Sequence, residues 1–326
     1  MDVFLTGGTG FIGSYVAMAL LKHHHKVTIL ARNPDKVPAL KALQGLEIIG
    51  GDITDRPLLA KLVQGKDACI HVALNYTKQT GWEVLLDDTL PTVYLSNAAA
   101  AAKVKHFIYT SSTSANDSLY MGPDEDREKS IRLVTSTTKQ HPATFYGATK
   151  AASENYLTAQ SHLSPMRMNI IRPGYAFGNP VVDGGSIQGD TRFHAIVKAA
   201  VRNEPISVVK HDGTQFIWGG DLASLYVAVL ESTVNRKTYF GLSKNFVSWE
   251  SIAHEAVMRC NSRSQVNVED RGWSKEGVMW DVSDMKADFG LEFDPWTNIQ
   301  GHLDYYRGLE VAKVRPGADS SAQTGR

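Results

Sequence analysis

Over its first 112 residues the chain alternates short apolar runs with helix-patterned ones, and this alternation limits the possible folds more than any other feature. The strand-like runs are Val3–Leu5, Lys26–Ala31, Leu46–Ile49, Ala68–Val72 and His106–Thr110. Between them lie Tyr15–Lys22, Pro34–Leu43, Arg56–Gln64 and the alanine-rich Val93–Ala102, all with helical spacing. Strand, helix and strand in succession form right-handed crossovers, and a run of them gives a parallel sheet covered on both faces. The expected class is α/β with a doubly wound parallel sheet.

The first crossover carries a chemical signal. Val3-Phe4-Leu5-Thr6 runs into Gly7-Gly8-Thr9-Gly10-Phe11-Ile12-Gly13 and then into the helical pattern from Ser14. A glycine turn between strand and helix points backbone N–H groups at a helix N-terminus, where a pyrophosphate binds. One glycine permits the turn, one lets the backbone touch the phosphates, and one lets helix and strand pack closely. This makes the sheet Rossmann-type and implies a dinucleotide.

Pro91 predicts a helix start or bend there. The polar stretch Asn116–Gln140 interrupts the rhythm as an inserted loop or short helix, after which Tyr146–Ser161 reads as a helix and Met168–Arg172 as a strand. Beyond Pro173, glycines at 174, 178, 184, 185 and 189 mark long loops, and the helical runs are Phe193–Arg202, Asp221–Ser232, Trp249–Cys260 and Asn298–Tyr306. The expected organisation is a dinucleotide-binding domain over 1–173 with contributions from about 207–241. A mainly substrate-binding lobe follows over 174–313, and a small, polar, disordered tail over 314–326.

Composition narrows the partners. Basic and acidic residues balance at 34 each, which gives no field for nucleic acid or a membrane surface. Cys69 and Cys260 stand far apart in no metal-like spacing, and no apolar run is long enough to span a bilayer. With the first strand entered by residue 3, the expectation is a cytoplasmic protein with no metal. His23-His24-His25 reads as a polar turn between the first helix and second strand rather than a metal site.

Tyr146 and Lys150 lie four apart in a helical pattern and so share a face. A phenol with an ordinary pKa of about 10 exchanges protons near neutrality only if a cation stabilises its phenolate, which Lys150 supplies. Such a pair also occurs on ordinary surface helices. Ser111 and Ser112 add weight, because a hydroxyl at the carboxyl end of a parallel strand sits where such sheets bind ligands.

Together the glycine turn, Thr110-Ser111-Ser112 and Tyr146-x-x-x-Lys150 resemble the extended short-chain dehydrogenase/reductase family, which includes sugar-nucleotide epimerases and dehydratases. Gly51-Asp52-Ile53-Thr54-Asp55, His71-Val72-Ala73, Arg172-Pro173-Gly174 and Asp221-Leu222-Ala223 extend the resemblance over nearly the whole chain. It implies Tyr146 as general acid/base, and Lys150 as holder of the nicotinamide ribose and activator of Tyr146. Ser112 becomes the group that hydrogen-bonds the substrate oxygen; as an alternative, its hydroxyl merely caps backbone. Gly7, Thr9, Gly10, Phe11, Ile12 and Gly13 would cradle the pyrophosphate. Asp52 and Ile53 would contact adenine, although Asp52 also reads as a helix cap. Val72, Ala73, Leu74 and Thr110 would line the dinucleotide, and Pro173 would lie by the nicotinamide. Thr113 and Tyr175 join Ser112 as candidate substrate contacts. Helices beginning near Pro91 and Tyr146 would form a homodimer.

The second strand ends in Ala31-Arg32-Asn33 rather than in the acid that accepts from a ribose 2′-OH. Arg32 suits a 2′-phosphate, so NADP is favoured over NAD, with adenine stacking or solvent exposure as the alternative role. Where dehydratases carry an Asp-Glu pair this chain has Thr113-Ser114, which cannot serve as carboxylate acid and base. Thr214 stands where nucleotide-sugar enzymes tend to have an arginine for the diphosphate, with Arg192 or Lys198 as possible substitutes. Trp218, Tyr175 and Phe177 point either to an apolar pocket or to core. Asp88 and Pro91 replace the family's frequent Asn and Gly. The expected activity is a NAD(P)-dependent reductase or dehydrogenase acting on a small molecule. An epimerase is the runner-up, and a non-catalytic dinucleotide-binding protein comes third.

Overall fold

The computed structural model describes residues 1–74, 80–119, 133–274 and 276–314. The chain begins β1 (Asp2–Thr6), α1 (Phe11–Lys22), β2 (Lys26–Ala31), α2 (Pro38–Lys41), β3 (Leu46–Gly50), α3 (Arg56–Leu62) and β4 (Ala68–His71). Next come α4 (Gly81–Val84), a π-helical turn (Leu85–Thr89), α5 (Leu90–Ala101), β5 (His106–Thr110) and a 3-10 segment (Thr113–Leu119). After β6 (Leu133–Val134) follow α6 (Phe145–Leu163), β7 (Arg167–Pro173) and β8 (Ala176–Phe177). The remaining elements include α7 (Arg192–Val201), β9 (Ile206–Val209), β10 (Gly213–Thr214), β11 (Ile217–Trp218) and α8 (Gly219–Glu231). The chain then passes through β12 (Thr238–Gly241), β13 (Val247–Ser248), α9 (Trp249–Arg259) and β14 (Val266–Glu269) to β15 (Met279–Trp280), α10 (Ser283–Phe289) and α11 (Trp296–Val314).

Seven strands form one parallel sheet in the order β12-β7-β5-β4-β1-β2-β3. The order reverses between β1 and β4, and in such sheets ligands bind beyond the carboxyl ends of the strands at this reversal. Side chains alternate across each strand. Val3 and Leu5 join Val16, Leu20, Leu222 and Tyr226 on one face, whereas Phe4 joins Leu59, Leu95, Phe107 and Leu157 on the other. Burial on both faces is why these strands read as short continuous apolar runs.

The chain divides into two compact units. The larger comprises Met1–Gln188, Gln215–Asn245 and Val278–Asp294 and holds the seven-stranded sheet. The smaller is built from Gly189–Thr214, Phe246–Gly277 and the residues from Pro295 onward. In it β14 pairs with β9 and β13 with β10, and Phe193 of α7 packs edge-on to Trp249 and His302 at 5.1 Å each. No helix among the described residues is long and apolar enough to cross a membrane.

Three expectations need correction. The helix expected over Pro34–Leu43 is only Pro38–Lys41, because Val37 precedes a proline and takes φ −131°, ψ 79°. The helix expected over Asn298–Tyr306 runs from Trp296 to Val314, its buried side Ile299, Leu303, Tyr306 and Glu310 falling at helical spacing. The histidine turn is not wholly surface. His25 is buried and shares Glu231 Oε1 with His23, at 3.0 and 3.2 Å. Residues 120–132 of the polar insertion and 315–326 of the tail lie outside the described residues.

Candidate active site

At the reversal point the glycine turn opens onto a cavity of about 620 Å³. Gly7 holds φ +73°, and a Cβ there would stand 2.6 Å from Ala73 N, so the turn takes no side chain. A Cβ on Gly13 would stand 2.1 Å from Gly7 O, so α1 packs directly on the turn. No side chain caps α1 at Gly10, and its first turn holds no acid. The helix end is therefore left for an outside anion. Gly7, Thr9, Gly10, Phe11, Ile12 and Gly13 line this cavity from one side, and Val72, Ala73 and Leu74 from another. A turn without a Cβ at Gly7, Gly10 and Gly13, set above an uncapped helix end, fits a dinucleotide pyrophosphate.

Arg32, Asp52 and Ile53 also line the cavity, as does Lys36, which the sequence reading did not single out. Arg32 and Lys36 are both exposed and give this end two cations. Asp52 does not cap a helix; Asp55 does, accepting from Leu58 N at 3.0 Å. Asp52 Oδ1 instead accepts from Thr54 N and Oγ1 at 2.9 and 2.7 Å, and these bonds, aided by Arg32, hold its carboxyl below the usual range.

At the other end, Asp88 and Pro91 line the cavity. Pro91 has no N–H to give back to Asp87, and the preceding turn widens so that Leu90 N bonds to Leu85 O. The widened turn carries Asp88 into the protein, 2% exposed, with its carboxylate 3.4 Å from Lys150 Nζ. That ammonium lies 5.1 Å from the Tyr109 ring centroid and 5.8 Å from that of Tyr146. Burial works against the charge on Lys150, but Asp88 and Tyr109 more than offset it and hold its pKa above the ordinary value.

A hydrogen-bond chain ties this turn to the glycine turn. Thr6 Oγ1 accepts from Val72 N and Ala73 N, which leaves its proton for His71 Nδ1 at 2.6 Å. The opposite nitrogen of His71 then donates to Thr92 Oγ1 at 2.8 Å, and Thr92 donates to Asp88 O at 2.7 Å. Burial, with Lys150 nearby, pulls the His71 pKa down to about 3, so the ring is neutral at pH 7. Nothing in the sequence pattern marked His71 and Thr92 as partners.

Ser112 is buried just past β5, and its Oγ accepts from Ser114 N at 3.1 Å. The backbone-capping alternative thus holds for the oxygen and leaves the hydroxyl proton to donate elsewhere. Tyr146, half-buried, lies in the first turn of α6, which is capped by Thr144. Thr144 Oγ1 and Ala143 N both donate to the buried Asp117 of the 3-10 segment, so the start of α6 is anchored to the segment that follows Ser112.

Seven expected positions do not line the cavity: Ser112, Tyr146 and Lys150, the last joined to its edge by Asp88, and Thr110, Thr113, Pro173 and Tyr175. Thr110 Oγ1 is 2.7 Å from the Tyr226 hydroxyl, and Thr113 is buried. Pro173 ends β7 beside Gly241. Tyr175 packs on Phe216 at 4.9 Å, and Phe177 and Trp218 pack on each other at 5.6 Å, so these aromatics are mainly core.

Comparison with known proteins decides the family. The profile described as "NAD dependent epimerase/dehydratase family" matches residues 3–240. The chain belongs to this family. Among curated relatives, a 3 beta-hydroxysteroid dehydrogenase/Delta 5-->4-isomerase of Mycobacterium tuberculosis is 29% identical over 210 residues, 61% of this chain and 52% of that protein. A probable UDP-arabinose 4-epimerase of Arabidopsis thaliana is 30% identical over 52% of this chain and 42% of its own length. The chain thus spans about half the length of the curated relatives it matches. The solved UDP-glucuronic acid 4-epimerase from Bacillus cereus, in complex with NAD, has a TM-score of 0.77 at 20% identity, covering 95% of this chain and 99% of that one. This likeness shows the shared fold.

Proposed function

We propose that this chain is an oxidoreductase that interconverts a carbonyl and a secondary alcohol on a small molecule, using NADP(H) in preference to NAD(H). One observation carries the reading. Asp88 lines the glycine-turn cavity while pairing with Lys150, so the Tyr-x-x-x-Lys motif adjoins the place a dinucleotide fits. Bound there, the nicotinamide supplies the carbon that gives or takes hydride. Ser112 donates its hydroxyl proton to the substrate oxygen and orients it. Tyr146 gives a proton to that oxygen or removes one. Lys150 hydrogen-bonds the ribose hydroxyls, and its charge favours the phenolate of Tyr146.

Arg32 and Lys36, with no acid ending β2, support the 2′-phosphate. With a panel of ketones and aldehydes, NADPH is expected to be consumed in step with product, at a kcat/KM about tenfold or more above that with NADH. Arg32→Ala is expected to remove most of that preference by weakening NADPH alone. Product formed without net cofactor consumption would make the protein an epimerase, and a tenfold preference for NADH would remove the NADP(H) assignment.

The homodimer belongs to the same reading. Trp82, Leu86 and Leu90 recur every four residues at 67, 36 and 40% exposure, on elements that pack against α6, which itself exposes Phe145 and Tyr156 at 61 and 60%. Such a stripe is unusual on a monomer. Sedimentation equilibrium should give a dimer, and the double change Trp82→Glu and Phe145→Glu a folded monomer; a monomeric parent protein would remove the assignment. Cys69 and Cys260 are free, which suits the reducing cytoplasm.

A further inference from the structure

The junction at Asp88 has a second consequence, which rests on the oxidoreductase reading. Lys150 and Asp88 are 3 and 2% exposed in their side chains, so each charge has little water to screen it. A buried ammonium of this kind is held where its counter-charge is, and here the counter-charge rides on the π-helical turn rather than on α6. The turn is itself fixed by the bond from Thr92 to Asp88 O and by His71 behind it.

We propose that Asp88 is a positioning residue for proton transfer: its carboxylate fixes the Lys150 ammonium against the Tyr109 ring and tempers the pull of that ammonium on the Tyr146 hydroxyl. Lysine alone would favour the phenolate strongly. A carboxylate beside the lysine cancels part of that field, so Tyr146 keeps its proton to a higher pH and remains a competent acid in the reducing direction. The other groups facing the pair do not do this. Tyr109 is buried and its ionisation is pushed up by burial, His71 is neutral, and Tyr226 of α8 bonds to Thr110. Asp117 of the 3-10 segment is engaged by Ala143 and Thr144, and Arg172 of β7 by Glu154, one turn beyond Lys150.

The test is Asp88→Asn, which keeps the shape and removes the charge. Two measurements are made, each also on a Tyr146→Phe background. The first is the pH profile of kcat/KM for alcohol oxidation. The second is the ultraviolet tyrosinate titration of the protein without cofactor. Removing a negative charge makes proton loss easier, so the Tyr146-dependent step should move to lower pH by about one unit, a tenfold change in proton affinity, in both. Asp88→Glu, which restores the charge, should return the step towards its original pH even if turnover stays reduced. Superimposed profiles for the parent and a folded Asp88→Asn protein would overturn the proposal. If Asp88→Asn does not fold, as judged by circular dichroism, Asp88→Ser takes its place with the same expectation. If even the parent protein turns over no cofactor, the oxidoreductase reading falls, and the tyrosinate titration alone decides the role of Asp88.

Discussion

Tyr146→Phe is expected to lower kcat by about 10²–10⁴-fold and to leave the affinity for the dinucleotide unchanged. The two halves of this expectation come from different parts of the site. The ring of Tyr146 packs with its centroid 5.8 Å from Lys150 Nζ, and a phenylalanine ring fills the same place. The glycine turn and its uncapped helix end lie on another element and are untouched. Only the hydroxyl is lost, and with it the acid that protonates the forming alkoxide. Among the described residues no neighbour replaces it. Tyr109 also faces Lys150, but it is fully buried and its proton is held more tightly than that of a free phenol. Ser112 donates to the same substrate oxygen yet is too weak an acid to give up its proton near neutrality. Single-turnover kinetics with a responsive ketone would separate the chemical step from binding, and isothermal titration would check the affinity. Full activity in the variant would remove Tyr146 from the reaction.

The parts of this site that were legible in the sequence are those whose chemistry is local. The glycine turn is a steric solution within seven residues, and Tyr146 and Lys150 lie one helical turn apart, so spacing alone brings them together. Ser112 was visible because strand ends are where parallel sheets bind ligands. The partners that complete the site come from far along the chain. Asp88 stood out as an unexpected residue, yet its pairing with Lys150 depends on a widened turn and on the packing of α5 against α6. His71 and Thr92 are single polar residues in apolar surroundings, and nothing in periodicity says that they bond. Lys36 lies in an irregular turn inside the expected helix, which starts only at Pro38 because that proline keeps Val37 out of the helical conformation. In α11 the opposite happened. Gly301 and Gly308 weaken the helical pattern locally, but the buried side from Ile299 to Glu310 keeps the helix continuous.

Gly147→Ala tests the close approach that no spacing rule could show. Within a helix this change ordinarily stabilises, by about 1 kcal/mol. Here a Cβ would stand 2.2 Å from Ser114 O and 2.8 Å from Asp117 Oδ2, well inside the 3.4 Å at which ordinary contact begins. The nearest atom is backbone, so no rotamer change relieves the clash. The start of α6 must back away from the 3-10 segment by about an ångström, and such overpacking costs about 1–3 kcal/mol or more. Two attachments resist the movement: Thr144 and Ala143 both bond to Asp117, and Ser114 N bonds to Ser112 Oγ. Displacement therefore separates Tyr146 on α6 from Ser112 on the strand end, and a misplacement of about 1 Å between reacting groups costs on the order of 10² in rate. The expected result is a net loss of about 1–2 kcal/mol in stability, after the helical gain is set against the clash, together with a 10–100-fold lower kcat. Gly301→Ala in α11 is the matching control, because nothing lies within 4 Å of a Cβ there. It should raise stability by about 0.5–1 kcal/mol and leave kcat alone. Thermal denaturation and steady-state kinetics on both variants decide the matter. If Gly147→Ala behaves like Gly301→Ala, α6 does not need its glycine to bring Tyr146 to Ser112.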